Sequence, residues 1–217
     1  MRTPFTPEQF FHVFEQYNTS VFPSQLIIFL LGLVCIFMLH SKLQLKHKLI
    51  GAFLALLWLW NGLAYHLAFF TQINPAAYVF AGLFVVQGAL IFWETFRKNG
   101  LVFNFNFYTK DYWGYLLIWF GLLIYPIINY FTGGGEFSRI IALGLPCPST
   151  ILTFGFFMLV SKKFPRYLLI IPSLWAIIGL SAVFNFGVYP DLILFLSVIV
   201  ADSLLLSKKV RMQGQQT

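Results

Sequence analysis

The sequence predicts an all-α integral membrane protein of seven transmembrane helices. Its N-terminus lies outside, its C-terminus is cytoplasmic, and a short interfacial amphipathic helix precedes the first span. Three observations carry this reading. Of 217 residues, 59% are hydrophobic and only 10% charged, whereas soluble domains carry about 25% charged residues. The apolar residues fall in blocks close to the ~20 helical residues that cross a hydrocarbon core of ~30 Å. The basic residues sit in small groups at every second break between blocks, which gathers nearly all of them on one side.

Taken in order, residues 1–20 form an N-terminal segment, 21–207 a single seven-helix membrane domain, and 208–217 a cytoplasmic tail. Within the first, TPEQFFHVFEQY at 6–17 has Thr6 as helix N-cap, Pro7 at the first helical position and Gln9 three after the cap. Phe10, Phe11, Phe14 and Tyr17 share one side, with Glu8, His12 and Glu15 off it. This is the pattern of a helix lying in the membrane interface, either packed on the bundle or acting as a gate. The segment has no basic and apolar stretches of a cleavable signal.

The spans read as 21–40, 48–70, 75–96, 113–131, 140–160, 166–187 and 190–207. With the first running inward, the cytoplasmic side collects Lys42, Lys46, Lys48, Arg97, Lys98, Lys110, Lys162, Lys163, Arg166, Lys208, Lys209 and Arg211. Only Arg2 and Arg139 stay outside, so every cytoplasmic turn obeys the positive-inside rule. Six or eight spans break that alternation. Between the third and fourth spans, LVFNFNFYTKDYW alternates apolar and polar residues and is read as lying along the interface, with Phe103, Phe105, Phe107 and Tyr108 as anchors.

A faint repeat is visible. Trp60-Asn61-Gly62-Leu63 matches Trp119-Phe120-Gly121-Leu122. Pro75 followed by Gly82 and Phe84 matches Pro148 followed by Gly155 and Phe157. Trp175, Gly179 and Pro190 echo both, as expected of a first helix followed by three related hairpins.

Polar residues concentrate at the outer helix ends: Asn61, His66, Asn129, Cys147, Ser149, Thr150, Asn185 and Asp191. Polar side chains in lipid face a bundle interior or a cavity. Gln72 and Asp191 are accounted for by headgroup contact, but Asn61 and His66 lie deeper. His66 falls ~27 Å along its helix from Lys48 and is a candidate proton relay or metal ligand; as a structural residue it would bond to a partner such as Tyr65 or Asn129. In Leu145-Pro146-Cys147-Pro148-Ser149-Thr150, two prolines are incompatible with a helix interior. The expected geometry is a non-helical lead from Glu136 to Leu145 and a helix starting at Pro148, with Cys147 near its N-cap. Such a thiol suits an anion site, a soft metal or redox chemistry, or is simply buried at a kink. On the inner side, Glu94 and Asp202 are candidates for proton or cation exit, or partners of the basic loops; Glu94 precedes Arg97 by three positions.

The sequence excludes much. No lysine in the seventh span rules out a retinal Schiff base, and P-loop, G-x-S-x-G and H-E-x-x-H motifs are absent. Nothing supports nucleic-acid binding, and the two cysteines, Cys35 and Cys147, read as free thiols.

FTPEQFFHVFEQYN at the N-terminus, YHLAFFTQINPAAYVF at 65–80 and GLPCPSTILTFGF at 144–156 resemble a family of small bacterial membrane proteins carried as a domain of unknown function. The resemblance implies a bacterial inner-membrane location and a single domain, and supplies no activity.

From the residues, the leading expectation is a small-solute or ion transporter or channel with an outer polar site formed by His66, Cys147, Asn61, Asn129, Asn185 and Thr150. A second is a membrane-embedded binding or sensing protein for a metal, lipid or thiol-reactive ligand. A third is an enzyme using Cys147 and His66 as nucleophile and base. The cofactor stays unknown, with His66 and Cys147 the metal-ligand candidates. The expected partners are the bilayer, a small molecule or ion, and a second copy of the chain, since Gly82, Gly155 and Gly179 allow close packing.

Overall fold

A computed structural model describes residues 4–98 and 100–206, so the tail at 208–217 lies outside the described residues. The described chain is all-helical, with two isolated bridges as its only β-type pairing. Helix α1 (Pro7–Val21) carries the expected capping box: Gln9 N donates to Thr6 Oγ1 at 3.3 Å, and Thr6 N to Gln9 Oε1 at 2.9 Å. It runs four residues beyond the expected end and buries Phe10, Val13, Phe14 and Tyr17, one stripe at helical spacing. The chain then bends by 83° into α2 (Ser24–Leu39). Lys46 caps the far end of α2, its Nζ donating to the Leu39 and Ser41 carbonyls at 3.0 Å each.

Helix α3 (Lys46–Trp60) continues into a π turn at Asn61–Leu67, and α4 (Ala77–Phe96) returns beside it. Helix α5 (Thr109–Trp119) passes through a second π turn, Phe120–Ile124, into α6 (Tyr125–Thr132). Helices α7 (Pro146–Met158), α8 (Ile170–Phe186) and α9 (Asp191–Leu206) complete the bundle. Four helical runs are long and apolar enough to cross a membrane: Lys46–Gln72, Ala77–Phe96, Thr109–Thr132 and Arg166–Phe186; a fifth arises if bent α1–α2 counts as one. Leu30, Leu56, Val79, Trp93, Ile127 and Phe184 all point outward and exposed, a surface suited to lipid rather than water and consistent with a membrane protein.

Helix α7 is the centre. Twelve of its 13 residues are buried, Cys147 being the exception, and it packs against α5, the second π turn and α9. It begins two residues earlier than expected. Leu145 is the N-cap, so Pro146 and Pro148 fall at the first and third positions, where amides have no intrahelical acceptor and proline's missing N–H is harmless. At the other end Lys110, paired with Asp111 at 2.8 Å, donates to the carbonyls of Met158 at 2.5 Å and Val160 at 3.2 Å. The alternating segment after α4 also lies there. Phe103 bridges Val160, Asn104 N donates to Leu159 O, and Ser161 N to Val102 O, both at 2.9 Å. Phe103 is therefore fully buried core and not an interface anchor, whereas Phe107 is exposed as expected. The alternating pattern did encode extended pairing.

The two longest hairpins repeat the same contacts. A Cβ placed on Gly62, in the first π turn, would lie 3.0 Å from Ala81 O; one on Gly121, in the second, would lie 2.7 Å from Pro148 O. Further down, a Cβ on Gly88 would meet Ala55 O at 2.9 Å, and one on Gly155 would meet Gly114 O at 2.6 Å. The Trp60 and Trp119 motifs thus occupy matching places, each immediately before a π turn. The returning helices match differently from the sequence reading: Gly155 corresponds to Gly88, while Gly82 is exposed with open space around it.

The close crossing is testable. Gly155→Ala forces a methyl against the Gly114 carbonyl and destabilises the protein by about 1–3 kcal/mol. Gly82→Ala is neutral or gains up to about 1 kcal/mol of helix propensity. Thermal unfolding of both variants in detergent measures the difference, and equal melting points would contradict the crossing.

Candidate functional site

The first turns of α7 and α9 meet at a buried carboxylate. Asp191 opens α9 and is 1% exposed. Its Oδ1 accepts from the Tyr125 hydroxyl at 2.5 Å and its Oδ2 from the Cys147 thiol at 3.3 Å. No Lys or Arg is ion-paired with it among the described residues. Tyr125 is the first residue after the second π turn and is fully buried. Cys147 is presented by the first turn of α7, which the N-cap at Leu145 sets. Burying a carboxylate with only neutral donors is costly, which makes this group the most conspicuous in the interior.

Beside it runs a polar seam between α3 and α7. Asn61 Nδ2 donates to Leu57 O at 2.6 Å and to Ser149 Oγ at 3.2 Å, and Ser149 Oγ also accepts from Gly144 N at 3.3 Å. One turn further, Trp58 Nε1 donates to Thr153 Oγ1 at 3.0 Å. Gly144 itself has φ of +101°, a conformation that favours glycine, and closes the extended lead into α7.

His66 sits on the first π turn with no exposed surface. Neither ring nitrogen has a hydrogen-bond partner, and neither does Asn61 Oδ1. The imidazole is enclosed by Phe84, Trp175, Tyr65, Phe80 and Phe70, at centroid distances of 4.7, 5.0, 5.2, 5.8 and 6.0 Å. Trp175 also interacts with the Cys147 thiol. Three buried polar atoms without a partner, two of them inside an aromatic box, are unusual, since buried polar groups are nearly always satisfied.

The expected residues thus separate. His66, Cys147 and Asn61 come to neighbouring positions at the head of α7. Thr150 is buried but bonds only to Pro146 O of its own helix. Asn129 ties the end of α6 to the lead, its Oδ1 accepting from Ile141 N at 2.7 Å. Asn185 is exposed on α8, donating to Ser181 O, and takes no part in the cluster. Cys147 bonds to Asp191 and His66 to nothing, so the two do not form a nucleophile–base pair. Among the described residues no group of three His, Cys, Asp or Glu is placed to hold a metal, and neither cysteine is in a disulfide. Toward the C-terminal ends of α4 and α9, Glu94 pairs with Arg97 at 2.8 Å and accepts from the Tyr167 hydroxyl, while Asp202 accepts from Ser173 Oγ at 3.2 Å. Sequence reasoning missed Tyr125 and took Asp191 for a headgroup contact. The available signal was its place directly after Pro190, opening a helix at the depth of Cys147. It also missed Gln87, fully buried, whose Nε2 donates to Leu168 O at 2.9 Å.

Helix α1 roofs the cluster. Phe14 stacks on Tyr65, Tyr17 donates to Gly144 O at 2.7 Å and accepts from Trp60 Nε1 at 2.6 Å. Asn18 Nδ2 donates to the Ser138 and Ile140 carbonyls, both at 2.9 Å, and Arg139 reaches Glu15 at 3.3 Å. In a Cys35→Ala background, an impermeant maleimide therefore labels Cys147 slowly. Tyr17→Phe with Asn18→Ala removes four of these bonds, each worth about 1 kcal/mol, and raises the labelling rate roughly tenfold or more. An unchanged rate in the folded variant would show that α1 does not control access.

No curated protein and no solved structure matches the chain. A family model described as "Family of unknown function (DUF6064)" matches residues 7–216. With nearly its whole length under one family model, and the resemblance read from its motifs agreeing, the chain belongs to that family of unknown function.

Proposed function

We propose that the protein is a seven-span transporter or channel of the bacterial inner membrane that moves a small solute or ion, with protonation of Asp191 as its switch. The observation that carries this is a carboxylate, 1% exposed, held by one hydroxyl and one thiol with no cation beside it. As a carboxylate Asp191 accepts from both Tyr125 and Cys147; once protonated, one of its oxygens becomes a donor, so one of the two bonds must reverse or weaken. That change loosens α9 from the head of α7 or from α6. The group therefore distinguishes two packings, which is what a ligand-driven equilibrium requires.

The seven spans combine the four long runs with α2, α7 and α9, of 16, 13 and 16 residues. The short α7 is prolonged by its extended lead at 140–145, protein-enclosed irregular backbone of the kind that lines transport sites. The N-out orientation is supported by the distribution of basic residues. Glu94 and Asp202 mark the inner exit in this reading. A second reading, a membrane-embedded binding protein, is favoured by one observation: the unpartnered nitrogens of His66 and the unpartnered Asn61 Oδ1 are fully buried.

The test is reconstitution into liposomes containing a pH-sensitive dye, with an imposed proton gradient and a panel of small solutes and ions outside. The wild-type protein is expected to change lumenal pH faster than empty vesicles, and Asp191→Asn, nearly isosteric, to abolish the difference. A folded Asp191→Asn protein with wild-type rates overturns the proposal. No flux from either, with a small molecule retained through purification and lost in His66→Ala, establishes the binding reading instead.

A further inference from the structure

Away from the candidate site, α2 and α3 diverge to leave a half-open groove of about 300 Å³. Its walls come from Ile28, Leu31 and Met38 of α2 and from Leu49, Ala52 and Leu56 of α3, with Trp60 at one end. Leu31, Leu49 and Leu56 are exposed, so the groove opens on the outside of the bundle. No charged residue lines it.

We infer that this groove holds one acyl chain of an anionic phospholipid, with the phosphate held by Lys42 and Lys48. Length, width and charge agree on this occupant. From Ile28 to Met38 the helix rises ~15 Å, the depth of one leaflet of a ~30 Å core. A volume of about 300 Å³ spread over that length leaves a section of ~20 Å², the width of a single hydrocarbon chain, whereas a helix with side chains is ~10 Å across. One end, at Trp60, lies on the α1 side, and the other, at Met38 and Leu49, runs into the turn 40–46.

That turn is strongly basic. Lys42 and Lys48 are exposed, and no carboxylate occurs between Glu15 and Glu94. Segment 101–108, whose Phe103 N donates to His47 Nδ1 at 3.2 Å, carries none either. Lys46 is already occupied by the Leu39 and Ser41 carbonyls, which leaves Lys42 and Lys48 as the uncommitted cations. Interfacial lysines of this kind favour anionic headgroups. The inference rests on the membrane reading and is independent of transport.

Native mass spectrometry of the full chain, released from vesicles of equal phosphatidylglycerol and phosphatidylcholine, tests it. The wild-type protein is expected to retain one phosphatidylglycerol in preference to phosphatidylcholine. Lys42→Glu with Lys48→Glu lowers that preference about tenfold or more, and Ala52→Trp, which fills the groove, loses the bound lipid of either class. Phosphatidylglycerol preference unchanged in the charge variant overturns the headgroup assignment. Bound lipid unchanged in Ala52→Trp, or a wild-type dimer that Ala52→Trp splits, overturns the acyl-chain assignment and gives the groove to a second copy.

Discussion

Helix α7 is surrounded by protein on every side, and a backbone placed there has no water to turn to. Its unpaired terminal groups must be satisfied within the chain or be absent. At the head, two prolines delete two of the amides that would otherwise lack acceptors. At the foot, Lys110 brings a cation to the last carbonyls, and the extended segment around Phe103 supplies backbone donors to Leu159 and accepts from Ser161. Much of the rest follows from this arrangement. The 101–108 segment must fold inward, Lys110 and Asp111 must be buried as a pair, and glycines must line the α5–α7 crossing so that a helix without free surface can still fit.

The same enclosure determines what sequence reasoning could see. Long apolar runs announce themselves by composition, because each residue contributes to the pattern independently; the capping box at Thr6 and Gln9 and the pairing of Glu94 with Arg97 are equally local. Placement around an axis is different. Asn185 and Asn129 have the same residue type and comparable depth, yet one faces outward and the other bonds to Ile141 N, a distinction set by helix rotation. Asp191 and Tyr125 are 66 positions apart, so their pairing depends on how two hairpins dock. The start of α7 at Pro146 was obscured because proline reads as a breaker unless the cap position is known.

The interior chemistry is layered rather than pooled. Asp191, Tyr125 and Cys147 satisfy one another; Asn61, Ser149, Trp58 and Thr153 form a ladder on α7; His66 stands apart in an aromatic enclosure with its valences unused. The three groups adjoin through Trp175 and α7, so a shift of that helix is felt by all of them.

The paired π turns bear on such a shift. A π turn carries one residue more than the α-helical path needs, and such an insertion can be handed along the chain from one turn to the next. Each transfer turns the residues that the insertion passes by ~100° about the helix axis and leaves the rest in place. Both turns lie directly after a tryptophan, and each sets its glycine against the backbone of the neighbouring helix. Asn61 and His66 ride on one such turn and Tyr125 follows the other. These polar side chains are thereby mounted on stretches of backbone that hold one residue to spare, the kind of place where a helix can change which side chains it presents without unwinding.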